Sequence, residues 1–128
     1  MVAVDTNVFL RLVLDDDPEH TERARNLVAG TPCFVPLTVI LESEWILRRV
    51  YRYSKSATTR AFKRLANIEN IAIEREEVVN HTLALTENGL DFADALHLAC
   101  SSSCDWLATF DKEFVKAAKG SKLPVRHP

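Results

Sequence analysis

The chain has 128 residues and a formal net charge of −2, with 16 basic against 18 acidic side chains. That length predicts a single domain over residues 1–128 with its own core, and the charge excludes holding nucleic acid by bulk attraction while allowing a local basic face. There is no basic leader followed by a long apolar core, and Pro36 and Thr38 interrupt the longest apolar stretch, so neither a signal peptide nor a membrane span is expected.

The chain opens on MVAVDTNVFL. Val2 to Val4 reads as a short strand buried on both faces. Asp5, Thr6 and Asn7 then supply capping residues for a helix from about Val8 to Leu14. Asp5 is therefore either a helix cap or a carboxylate at the carboxyl end of the first strand, where open α/β sheets place ligands. The Asp15-Asp16-Asp17-Pro18 stretch is a break. Pro18 suits a first helical turn and the aspartates suit its cap and dipole. Consecutive residues point in different directions, so the triplet reads as a solvated loop and cap rather than a metal site. The second helix runs to about Val28 and stops at Gly30.

Cys33 to Val35 is a second strand, closed by Pro36, and Thr38 is expected to cap a long helix from Val39 to about Tyr53. A helix from about Ala57 to Asn67 follows Ser54-Lys55-Ser56. Ile71 to Ile73 is a third strand, and Glu74 to Asn88 a helix stopped by Gly89. Asp91 opens a helix from Phe92 to about Ser103. Trp106 to Thr109 is a fourth strand, Lys112 to Ala118 a helix, and Pro124-Val125 a last edge strand. Strands alternating with helices predict an α/β fold, a three-layer α/β/α arrangement with a central parallel sheet of four to five short strands.

In such a sheet Asp5 and Asp111 follow strands and share the carboxyl edge. Asp94 lies in the first turn of a helix that runs back into the fourth strand, so it starts at the same edge. The helix after the second strand offers Glu42 or Glu44. With Val39, Ile40, Ile46, Leu47 and Val50 as its buried face, Glu42 falls on the margin and Glu44 farther round, which favours Glu42. Each aspartate also has a capping explanation. Asp91 and Asp94 have the spacing of a cap and its partner three residues on, and Asp111 can cap the helix at Lys112. Capping does not explain why all four acids fall at one edge. Clustered carboxylates raise each other's pKa values and call for a cation. Oxygen donors without His or Cys favour Mg²⁺ or Mn²⁺, an ion suited to phosphodiester hydrolysis.

Three blocks, VAVDTNVFLRLVLDDD, VPLTVILESEWILRRVY and GLDFADALHLACSSSCDWLATFDKEF, resemble in order the motifs of the PIN domain, in particular the compact ribonuclease toxins of the VapBC toxin–antitoxin class. The resemblance covers nearly the whole chain. It implies acidic ligands at Asp5, Glu42 (three residues before Trp45), Asp94 and Asp111, of which the last position varies in the family. It also implies that Thr6 and Asn7 orient Asp5 and that Asp91 supports the site. A homodimer, an RNA substrate and a small antitoxin that blocks the site follow from the same resemblance.

From Trp45 to Ile68 every charged residue is basic: Arg48, Arg49, Arg52, Lys55, Arg60, Lys63 and Arg64. They form either a solvated surface, a phosphate track or a dock for an acidic partner. His97, Cys100 and Cys104 share a helix, which is poor geometry for zinc. The cysteines show no disulfide-like pattern, so a reducing, cytoplasmic setting is expected. Two competitors stand beside the metal nuclease. A non-catalytic RNA- or protein-binding module would use the basic helices at 48–64. An aspartyl phosphotransfer enzyme would use Asp5, but position 7 is Asn and Glu74 follows the third strand where a receiver fold has its acceptor Asp.

Overall fold

Three short apolar segments organise the first part of the molecule. The structure is a computed structural model describing Met1–Pro128. In it β1 (Val2–Ala3), β2 (Cys33–Val35) and β3 (Ile71–Ile73) lie side by side in that order, all parallel, with Val2 opposite Cys33 and Cys33 opposite Ile71. Cys33 and Val35 are fully buried, as befits a central strand. β1 is the edge of this sheet, so Val2 and Ala3 are exposed and only Val4 is buried. The expectation of a first strand buried on both faces is corrected accordingly. Val4 still bonds to the ladder, its N–H donating to the Phe34 carbonyl at 3.0 Å.

Four helices accompany this sheet: α1 (Thr6–Arg11), α2 (Pro18–Gly30), α3 (Leu37–Arg49) and α4 (Lys55–Ala66). α1 is shorter than expected, because the Leu12 and Val13 N–H groups tighten onto the Phe9 and Leu10 carbonyls. α2 begins as predicted, with Pro18 in its first turn and Asp17 accepting from the His20 N–H at 3.1 Å. α3 starts directly after Pro36, two residues before the expected start, so Thr38 is not its cap. It also ends earlier, and Arg52 at φ 58° completes the reversal into α4. Ser54 caps α4 by accepting from the Ala57 N–H at 3.0 Å. Phe9, Ile40, Leu47 and Phe62 are sealed from solvent, and the Phe9 and Phe62 rings stack with centroids 6.2 Å apart. Burying side chains of this size stabilises by about 1.5–3 kcal/mol each.

The chain divides into two compact units, Met1–Glu76 and Glu77–Pro128. The second comprises most of α5 (Glu76–Glu87), then α6 (Phe92–Cys100), β4 (Leu107–Ala108), α7 (Lys112–Ala117) and β5 (Val125–Arg126). Gly89 at φ 107° lets the chain leave α5 in a conformation that disfavours a side chain. Leu90, Ala95, Leu98, Phe114 and Ala118 form the core here, with Leu85, Leu107, Leu123 and Val125 packed on it. β4 pairs in parallel with β5, Ala108 opposite Arg126. The fold is thus α/β with seven helices and only parallel pairs, as expected, the five strands bonding as a ladder of three and a ladder of two. No helix is long and apolar enough to cross a membrane.

Candidate functional site

Asp5 stands where β1 gives way to α1. Its backbone is extended and its Oδ1 accepts from the Val8 N–H at 3.0 Å, so the capping role is real. A cap uses one carboxylate oxygen and leaves the second for a ligand. Asp5 lines a pocket of about 290 Å³ with Thr6, Asn7, Thr38, Val39 and Glu42. Glu42 is exposed, one turn into α3. Glu44 lies outside this pocket and pairs with Arg48, Nη1 to Oε1 3.5 Å. The helical wheel made Glu44 the more solvated of the two. It is the less exposed, because Arg48 one turn later draws it down.

The start of α3 is fixed from a distance. Pro36 has no side-chain donor or acceptor, and the Leu37 N–H donates instead to Glu74 Oε2 at 2.7 Å. Glu74 follows β3, where its own N–H continues the ladder by donating to the Val35 carbonyl at 2.9 Å. The helix that carries Glu42 is therefore tied to the end of the sheet by a residue expected only to begin α5. Local sequence offers no signal for a cap 37 positions away.

The acidic loop behaves as a structural feature. Asp16 accepts from the Tyr51 hydroxyl at 2.9 Å and pairs with Arg11; the Tyr51 bond first, and then Arg11, hold its carboxyl below the usual range. The His20 N–H and ring do the same for Asp17, and Asp15 meets Arg25 at 3.3 Å. Asp16 and Asp17 line an open groove of about 770 Å³ over α1 and α2. Only Asn7 among the predicted site residues reaches it.

In the second unit Asp91 holds the cap position of α6, but its side chain makes no capping bond. The cap-and-partner explanation of Asp91 and Asp94 is thus not realised. Asp94 is half-buried in the first turn. Burial, followed by the negative charges of Asp91 and Asp111, raises its carboxyl above the ordinary range, while His97 opposes the shift. Asp111 Oδ1 accepts from the Glu113 and Phe114 N–H groups at 2.9 and 3.2 Å, which fixes the carboxylate at the start of α7. The structure thus gathers Asp5 with Glu42, and Asp91 with Asp94 and Asp111. No three His, Cys, Asp or Glu groups are already disposed as a cation cage. The donors nevertheless fit a hard divalent ion in kind, being carboxylate oxygens, and at Asp94 two neighbouring carboxylates add to the cost of burial.

Among the predicted phosphate-binding residues, Arg49, Arg52, Arg60, Lys63 and Arg64 are exposed. Arg48 is drawn inward, its Nε donating to the Tyr53 carbonyl at 3.0 Å while Nη1 meets Glu44. Of the two exposed aromatics, Trp45 and Phe110, the second stands beside Asp111; its place at a strand end was visible in sequence but its exposure was not.

Against known proteins, a family model described as the PIN domain matches residues 2–120. Among solved structures the chain is similar to the Mycobacterium tuberculosis toxin VapC20, described as cleaving the sarcin–ricin loop, at 21% identity over 91% of this chain and 95% of that one, with a TM-score of 0.43. No curated protein sequence matches the chain significantly.

Proposed function

This chain belongs to the PIN-domain family, and on that footing we propose that it is a metal-dependent endoribonuclease acting as the toxin of a toxin–antitoxin pair. The observation that carries the reading is the placement of Asp94, half-buried in the first turn of α6 with the charges of Asp91 and Asp111 acting on it. A fold retains such repulsion at a cost, and sites that bind cations or move protons are where it recurs.

In this reading Asp5, Glu42 and Asp94 hold Mg²⁺ or Mn²⁺, Asp111 completes the donor set, and Asp91 supports Asp94. When bound, the ion supplies Lewis acidity, lowering the pKa of water and offsetting charge on phosphate oxygens. The protein's part is preorganisation. Asp5 and Asp111 are each anchored through Oδ1 by backbone N–H groups, so ligation requires no search of side-chain conformations. Thr6 and Asn7 line the pocket beside Asp5. Arg49, Arg52, Arg60, Lys63 and Arg64 offer charge to the phosphates of the strand, or to acidic residues of a small antitoxin. A homodimer in the cytoplasm completes the proposal.

The test is RNA cleavage by purified protein with Mg²⁺, with EDTA, and by Asp94→Asn. Cleavage is expected only in the first case; persistence in all three sinks the metal mechanism. The exposed basic face of α4 also supports a simple RNA-binding module. Reversing charge at Arg60 and Arg64 separates the two readings: if binding is lost while Asp94→Asn leaves the biological effect intact, catalysis is not the role. For about five phosphate contacts to a single strand, log affinity falls with log salt at a slope near −3.5.

A further inference from the structure

Phe110 is the exception among the six phenylalanines of the chain. Phe9, Phe62, Phe92 and Phe114 are buried and Phe34 is half-buried, whereas Phe110 is 86% exposed. An apolar ring left in water forgoes the burial energy the others gain. The backbone that presents it is tightly held. On one side the Thr109 N–H donates to the Arg126 carbonyl at 3.1 Å, and the Thr109 carbonyl lies 2.9 Å from His127 Nδ1. On the other, the Asp111 N–H donates to Thr109 Oγ1 at 3.1 Å and the Asp111 carboxylate caps α7. The ring is thus displayed on a fixed turn, one residue from a proposed catalytic carboxylate, with Lys112 exposed beside it.

We propose that Phe110 is a stacking platform for an unpaired nucleobase of the RNA, adjoining the scissile phosphate; the inference rests on the nuclease reading above. Carboxylates repel a polyanion, so a site rich in them gains from contacts that charge does not oppose. A base face is such a contact, and an aromatic ring accepts any base through its π surface. Lys112, exposed two residues on, offers a cation for a flanking phosphate, whereas the Arg126 guanidinium is engaged 4.3 Å from the Trp106 ring centre. The occupant that fits is a single-stranded or flipped-out nucleotide.

The experiment uses the full chain carrying Asp94→Asn, so that nothing is cut, and a short single-stranded RNA with 2-aminopurine placed in turn along the strand. With Phe110 present, one position should be quenched on binding. Phe110→Ala should abolish that quench and weaken binding by about 5- to 150-fold, the range for loss of one base–aromatic stack. Phe110→Trp should retain both, and Phe110→Leu, apolar but without a π face, should not. Replacing the quenched nucleotide by an abasic one should make the Phe and Ala forms bind alike. Absence of quench with Phe110 intact overturns the platform, as does equal binding by the Ala or Leu form. So does a shift from dimer to monomer in Phe110→Ala with RNA binding unchanged, which would mean that a second copy covers the ring. Failure of the nuclease reading is read separately, as absence of Mg²⁺-dependent cleavage by the unsubstituted protein.

Discussion

In the first unit Asp15, Asp16 and Asp17 each face a basic side chain, Arg25, Arg11 and His20. In the second unit Asp94 is pressed by Asp91 and Asp111, with His97 alone in opposition. The two groups are similar in composition and opposite in electrostatics. The triplet at 15–17 is the denser run of acids, yet each of its carboxylates already has a partner, Arg25, Arg11 or the His20 ring. The dispersed aspartates at 91, 94 and 111 also stand at helix starts, and there the like charges of Asp91 and Asp111 act on Asp94. Density of acids along a chain therefore does not mark where like charges press on one another; the partners around each carboxylate do.

The comparison is broken most directly by activity. Asp94→Asn should reduce Mg²⁺-dependent RNA cleavage by about 10²–10³-fold or more, the loss typical of removing one charge-stabilising group from an active site, while Asp16→Asn should leave initial rates nearly unchanged. Equal losses would erase the distinction between the two groups.

Asp111 sharpens it by separating capping from ligation. Asp111→Asn keeps a capping oxygen and should retain stability while losing activity. Asp111→Ala should lose both, with about 1 kcal/mol less stability in denaturant titration. A comparable loss, again about 1 kcal/mol, is expected for Glu74→Ala, which leaves the Leu37 N–H without its partner. Glu74→Gln should recover most of it.

A smaller effect has the opposite sign. Because the Asp94 carboxyl is raised in the folded protein, the native state binds that proton more tightly than the unfolded chain does. The associated stability is present below the ordinary carboxylate range and is lost as pH climbs through the raised value. Without added metal, Asp94→Asn should therefore stabilise at neutral pH, by on the order of 0.5 kcal/mol or about 2 °C in Tm for a half-exposed group. The gain should vanish in acid. For Asp16 the sign reverses: its lowered carboxyl contributes above the ordinary value, and the contribution is lost as pH falls through the lowered one. Tyr51→Phe, removing the larger cause, should move the Asp16 titration back up, as followed by NMR.

Much of the frame could be read from local chemistry. Cys33–Val35 and Ile71–Ile73 are strands over the expected residues, and Asp17 with Pro18 opens α2. These signals are carried by neighbours in sequence: β-branched runs, a proline in the first turn, a side-chain oxygen three residues from its donor. What could not be read depends on partners far along the chain. Thr38 has the chemistry of a cap, but Glu74 reaches the first N–H of α3. The cap spacing of Asp91 and Asp94 was legible, whereas the failure of Asp91 to cap was not, since it depends on side-chain orientation. Glu42 was selected over Glu44 partly by a solvation argument that the Arg48 pair reverses. The pocket it lines with Asp5 supports the same choice on other grounds.

The bond from Leu37 to Glu74 also has a kinetic consequence. A cap supplied by a neighbour is available as soon as a helix nucleates, but this one must wait until the chain between the two residues has closed into β3. The closing step costs loop entropy before the bond returns anything. The first turn of α3 should therefore consolidate late in folding. Glu74→Gln and Glu74→Ala should then change the unfolding rate far more than the folding rate, giving φ-values near zero at this position.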